Sequence, residues 1–194
     1  MYSDAKNSYE RVLKINSKHP NALNNMLALA QRVTIDSNYS YSNVVYNTLL
    51  KYEPQKTDYL YSMAINMTEL NRIDTAKIIL EDIITNTPSY YKAYYKLGEI
   101  YGKHLNDITN SEKYLKEAYK LNPEDPSVLE NLGIVYGIKG DYSLSLDFFN
   151  KALTYSPEDS RIFSNIAGTY YKMNQIDKAK EYLSKAEEAR KTVK

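Results

Sequence analysis

With 194 residues of which 43% are hydrophobic, the chain can form one sizeable core, and no apolar run approaches the roughly 18 residues that span a bilayer. Lys and Arg number 25 against 24 acidic residues, interspersed to a net charge of +1, which argues against nucleic acid as a partner, since phosphate binding calls for a basic excess or stripe. The absence of cysteine excludes disulfides, thiolate metal sites and cysteine nucleophiles, and the start MYSDAKNSYERVL lacks the signature of a secretory signal. None of these features names a compartment.

The first predicted helix, residues 3–16, carries Ala5, Tyr9 and Val12 on one face. The same small, large, apolar template returns as Ser42, Tyr46, Leu49; Ala76, Leu80, Ile83; Ser111, Leu115, Ala118; Ser145, Phe149, Ala152; and Ala179, Leu183, Ala186. Pro54, Pro88, Pro123 and Pro157 follow four of these segments at intervals of 34 or 35 residues. A helix of a second kind precedes each of the last five, marked by Met26, Leu27, Ala30; Met63, Ala64, Met67; Leu97, Gly98, Tyr101; Leu132, Gly133, Tyr136; and Ile166, Ala167, Tyr170.

A period of this length is the mark of stacked helical hairpins. Two antiparallel helices approach closely only where side chains are small, so Gly98 and Gly133, each costing about 1 kcal/mol against alanine in a helix interior, predict tight contacts that offset the loss. The tyrosines fill the wedge between hairpins, burying a ring and leaving a hydroxyl to find a partner. In the best-formed copy Asp125 caps a helix that starts on Pro126, Gly140 ends it and Asp141 caps the next.

Leu132, Gly133, Tyr136, Gly140, Phe149, Ala152 and Pro157 resemble the tetratricopeptide repeat pattern. The resemblance implies an all-α, right-handed α-solenoid of stacked antiparallel helix pairs, about eleven helices in one domain spanning 1–194. A lone helix occupies 1–19, followed by hairpins at 20–56, 57–90, 91–125, 126–159 and 160–194. The first hairpin is expected to hold about three extra residues in its turn near TIDSNYS, and the third about one near HLNDITN.

The resemblance further implies that the first helix of each hairpin lines a concave groove that binds a peptide or helix of another protein. Positions not used in packing are then the binding candidates: Asn24, Asn25 and Arg32; Tyr61; Lys92, Tyr95, Lys96 and Glu99; Asn131; Arg161, Asn165 and Lys172, with Glu130 and Ile134 in the same row. Asparagine amides suit an extended backbone, and Tyr61 and Tyr95 suit the role of anchors. The family's clamp for chaperone C-terminal tails is disfavoured, because only Lys92 and Lys96 match it while Asn24, Ala28 and Ser62 do not.

His19 and His104 are isolated from each other and from acid clusters, and no nucleophile elbow, phosphate loop or zinc-binding helix motif is present. The expectation is a non-catalytic scaffold with no cofactor and no metal, whose partner is a protein or peptide. An alternative is a regulatory or sensor region of a larger regulator or enzyme: the lone first helix predicts either further repeats upstream or a homodimer through the N-terminal edge. RNA binding by the similar-length pentatricopeptide architecture is argued against by the net charge and by the Leu97–Gly98 and Leu132–Gly133 pairs.

Overall fold

A computed structural model describes residues 1–192; residues 193 and 194, the end of the fifth predicted hairpin, lie outside the described residues. These form α1 (Tyr2–Ile15), α2 (Pro20–Ile35), α3 (Tyr39–Leu50), α4 (Thr57–Glu69), α5 (Ile73–Asn86), α6 (Tyr91–Glu99), α7 (Ile108–Leu121), α8 (Pro126–Lys139), α9 (Tyr142–Tyr155), α10 (Ser160–Lys172) and α11 (Ile176–Thr192). A π-helical turn, Ile100–His104, extends α6. Among the described residues there is no strand. The chain divides into two compact units, Met1–Pro88 and the part beginning at Ser89.

Five hairpin turns share one backbone device. A residue in the left-handed region, at Ser37, Asn71, Asn106, Gly140 and Asn174, ends the first helix, and the next residue's N–H returns to a carbonyl inside it. Those acceptors are Val33, Met67, Tyr101, Tyr136 and Tyr170. Asp125 accepts from the N–H of Ser127 and Val128 at 2.8 and 3.2 Å, and Asp141 caps α9 at 3.1 Å, as their sequence positions predict.

This device fixes the register and moves both predicted insertions. Because Val33 stands where Met67, Tyr101, Tyr136 and Tyr170 stand, the first hairpin's packing triplet is Leu29, Ala30 and Val33, not Met26, Leu27 and Ala30. Ser42 confirms this by donating to the Ala30 carbonyl at 3.1 Å, just as Ser111 donates to Gly98 at 2.8 Å and Ser145 to Gly133 at 2.7 Å. The three extra residues therefore lengthen α2 at its N-terminal end, leaving the turn like the others. The sequence is ambiguous there because residues 26, 29, 30 and 33 all lie on one buried helix face. The single extra residue of the third hairpin is absorbed within the helix as the π turn.

In the first unit the core gathers Leu13, Met26, Leu29, Val33, Val45 and Leu49. Asn66, fully buried, donates to Ser42 at 3.0 Å and to Asn43 at 2.8 Å, tying α4 to α3 through polar groups whose burial demands partners. The second unit is centred on Leu115, Leu129, Leu132, Phe149 and Ile162. A Cβ on Gly98 would lie 2.6 Å from Leu115, and one on Gly133 2.6 Å from Phe149, the tight contacts that two helical glycines call for. Tyr136 stacks on Phe148 with centroids 5.5 Å apart and donates its hydroxyl to Glu112 at 3.2 Å.

Two residues of the repeated template do not bury. Val12 is 38% and Leu183 50% exposed, because α1 packs mainly on α2 and α11 on α10, so the face that inner helices cover on both sides is covered on one. Leu13 takes the buried place on α1.

Candidate partner-binding face

In the second unit α6, α8 and α10 present corresponding positions side by side. Asn131, one turn into α8, donates through Nδ2 to the Ser127 carbonyl at 2.9 Å and to the Tyr95 hydroxyl on α6 at 3.4 Å. Its counterpart Asn165 on α10 donates to Glu130 on α8 at 2.9 Å. The two amides thus hold Tyr95 and Glu130 in place, and neither bond uses the amide oxygen, which remains an acceptor.

The acids of this face are sunk, and Lys96 with them, while Lys103 and Arg161 stand out. Glu130 is 7% exposed; burial pushes its carboxyl up, opposed by Arg161, whose Nη2 lies 3.6 Å away. Arg161 also pairs with Asp159 at 2.8 Å while remaining 69% exposed. Glu99 sits between Lys96 at 3.3 Å and Lys103 at 2.5 Å; burial raises its pKa, but the bonds and charges of Lys103 and Lys96 outweigh it and the net direction is down. Lys92 and Lys172 are exposed at the two ends of the row.

The first unit has a different face. Tyr61 lines an apolar cavity of about 210 Å³ with Gln31, Thr34, Ile35, Ile65 and Tyr46. Asn24 and Asn25 are exposed on α2, away from that cavity. Arg32 pairs with Asp36 at 3.3 Å, and the Tyr2 hydroxyl of α1 donates to the same carboxylate, so Arg32 is held toward α1 rather than beside Tyr61. With α2 in its observed register, Leu27 and Gln31 occupy the positions that Tyr95 and Glu99 occupy on α6, and Asn24 matches Lys92. The tail-clamp comparison changes accordingly: Leu27 and Gln31, in place of Asn24 and Ala28, stand at its first pair, and the match is no better.

Sequence reasoning passed over Gln31, Ile35, Lys103 and Gly168 on these faces. The repeat interval of 34 residues that separates Ala30 from Ala64 would have placed Gln31, and the four-residue spacing of Glu99 and Lys103 would have placed Lys103. His19 caps α2, its Nδ1 accepting from the Ala22 N–H at 3.3 Å, and His104 is exposed at the end of the π turn. Among the described residues no three His, Cys, Asp or Glu side chains gather as a metal site, and no helix is long and apolar enough to cross a membrane.

A chain of helical hairpins with a 34-residue step and small residues at each close contact is a helical-repeat protein. The tetratricopeptide repeat profile matches residues 91–125 and 138–192. Photosystem I assembly protein Ycf3 of Rippkaea orientalis (strain PCC 8801 / RF-1) is 30% identical over 121 residues, 57% of this chain and 68% of that protein. The chain belongs to the tetratricopeptide repeat family. Its all-α solenoid fold is shared with TTC0263, a thermophilic TPR protein of Thermus thermophilus, at TM-score 0.70 and 23% identity, covering 86% of this chain and 91% of that one. It is shared also with YrrB, described as a TPR protein with an unusual peptide-binding site, at TM-score 0.67 and 19% identity, covering 93% and 91%. Against larger curated relatives of 23–25% identity, the chain spans only 13–25% of their length.

Proposed function

We propose that the chain is a non-catalytic interaction module whose first-helix faces bind a peptide or helix of a partner protein, with α6, α8 and α10 as the principal site and no nucleic-acid role. The fold is one typical of protein-interaction scaffolds. The observation that carries the reading is the cross-helix pair Asn131–Tyr95 and Asn165–Glu130: side chains at corresponding repeat positions are pre-ordered, which lowers the entropy lost on binding. The peptide-binding site named for YrrB supports the same use of the fold. Among the remaining candidates, Lys92, Lys96, Arg161 and Lys172 supply charge around the amides, and Tyr61 belongs to a second, apolar site on the first unit.

The test is a phage-displayed random peptide library selected against the full chain. Selected peptides are expected to lose about tenfold or more in affinity to Tyr95→Ala/Lys96→Ala by fluorescence anisotropy, as for anchor residues at interfaces. Unchanged affinity overturns the assignment of this face.

A second reading, a regulatory or sensor region of a larger regulator or enzyme, is favoured by the small share of these curated relatives that the chain spans. A complete reading frame that adds no further domain would count against it. Homodimerisation through α1 is favoured by Ile15, 90% exposed beside Val12, and a monomer by sedimentation equilibrium would exclude it.

A further inference from the structure

The chain's six glycines differ in what a side chain would meet. A Cβ would lie 2.6 Å from Leu115 at Gly98 and from Phe149 at Gly133, 2.9 Å from Ser111 Oγ at Gly102, and 3.1 Å from Ser145 Oγ at Gly137. Gly140 needs no neighbour to explain it, since its φ of 84° ends α8. Gly168 stands in the middle of α10 with nothing within 4 Å of the place its Cβ would occupy. A glycine inside a helix weakens it relative to alanine, and here no contact within the chain requires one.

Its repeat position sharpens the point. The residues that follow Ala30, Ala64, Gly98 and Gly133 are Gln31, Ile65, Glu99 and Ile134, all sizeable, whereas Ala167 is followed by Gly168. The missing side chain opens a cavity of about 190 Å³ between α8 and α10, lined also by Ile134, Ile138, Phe149 and Lys172.

The chemistry of the lining selects the occupant. Its hydroxyl and amide donors are engaged within the chain: Ser145 donates to the Gly133 carbonyl at 2.7 Å, Ser164 to Ser160 at 2.8 Å, Thr169 to Asn165 at 3.0 Å, and Asn165 to Glu130 at 2.9 Å, which leaves the Asn165 amide oxygen as an acceptor. Ile134, Ile138 and Phe149 supply an apolar wall, and a cavity of about 150 Å³ already has room for a benzene-sized group. The rim is cationic. Lys172 is exposed and makes no ion pair among the described residues, and no carboxylate is among the residues that line the cavity.

We propose that this cavity is a side-chain subsite for a partner peptide, taking one leucine-, methionine- or phenylalanine-sized residue with an acidic neighbour paired to Lys172. The assignment rests on the peptide-binding reading of the α6, α8 and α10 face. Gly168 acts by leaving room, and Lys172 selects the flanking charge.

The library selection above tests it with three further variants. Recovered peptides are expected to share a bulky apolar residue beside an acid, and both Gly168→Met and Lys172→Glu to weaken them, the first by about tenfold or more as a buried side chain is displaced. Gly168→Ala is expected to raise the Tm, because alanine favours the helix and has space; a lowered Tm would show a structural glycine and overturn the proposal. Full affinity in Gly168→Met together with loss in Tyr95→Ala/Lys96→Ala would sink the subsite and leave the face standing. No recovered peptide, or peptides indifferent to every variant, would sink both. If the chain proves to be a dimer that Gly168→Met dissociates, the occupant is a second copy and the partner-peptide assignment falls.

Discussion

The two units use the same helix positions for different chemistry. On the first unit Gln31, Ile35, Tyr61 and Ile65 line an apolar cavity whose lining carries no charge, whereas on the second Lys96, Glu99 and Lys103 form a charged ladder and Glu130 is sunk beneath Arg161. Glycine is confined to the second unit, where it admits Leu115 and Phe149, while Ala30 and Ala64 stand at the same repeat positions in the first. The difference teaches that the repeat prescribes where a side chain points and leaves open what it is. Packing positions tolerate a narrow set of sizes, and the positions between them are free to diversify.

The largest test of this contrast strikes the second core. Phe149→Ala removes a buried ring in contact range of the Gly133 site and should cost about 3–5 kcal/mol by urea denaturation. A loss below about 1 kcal/mol would show that the close glycine contact is not a determinant of that unit.

The counterpart in the first unit is polar. Asn66→Ala leaves the Asn43 carbonyl oxygen and Ser42 without the amide that bonds them, and should cost about 1–3 kcal/mol, the penalty for stranding buried polar groups. If Asn66→Leu, which fills the space without polarity, is as stable as wild type, the network serves register rather than stability.

The smallest expected effect is a pH dependence carried by the second unit. Hydrogen bonds from Lys116 and then Lys139 hold Glu112 down to about 2, so its contribution is present above the ordinary carboxylate range and is lost as pH falls from about 4.5 toward about 2. Glu112→Gln should flatten the stability profile across that window, with a change of about 1 kcal/mol or less near neutrality for so accessible a network. A profile that keeps its slope would place the acid sensitivity elsewhere.

Much of the fold was legible in the sequence because close packing restricts residue size at a fixed step. Ser42, Ser111 and Ser145 stood out as small; their second task, donating to the carbonyl of the facing Ala30, Gly98 and Gly133, did not. The candidate face was legible on the second unit, where Asn131 and Asn165 fall on one repeat position and meet Tyr95 and Glu130, which fall on another. On α2 it was not, since an apolar face spaced three and four residues apart reads equally well one turn out of step. That slip put Asn25 and Arg32 among the candidates and left Gln31 out, while Asn24 keeps the position that Lys92 holds on α6.

By itself the sequence determined the helical period, the caps and the close contacts, because each depends on a local rule of backbone conformation or residue size. Tertiary structure alone decided the rest. It absorbed one insertion as a helical turn and the other as a π turn, tied Arg32 to Asp36, sank Glu130 and left an empty space above Gly168. Each of these outcomes depends on which neighbour arrives across the helix interface, and sequence distance within one helix does not carry that information.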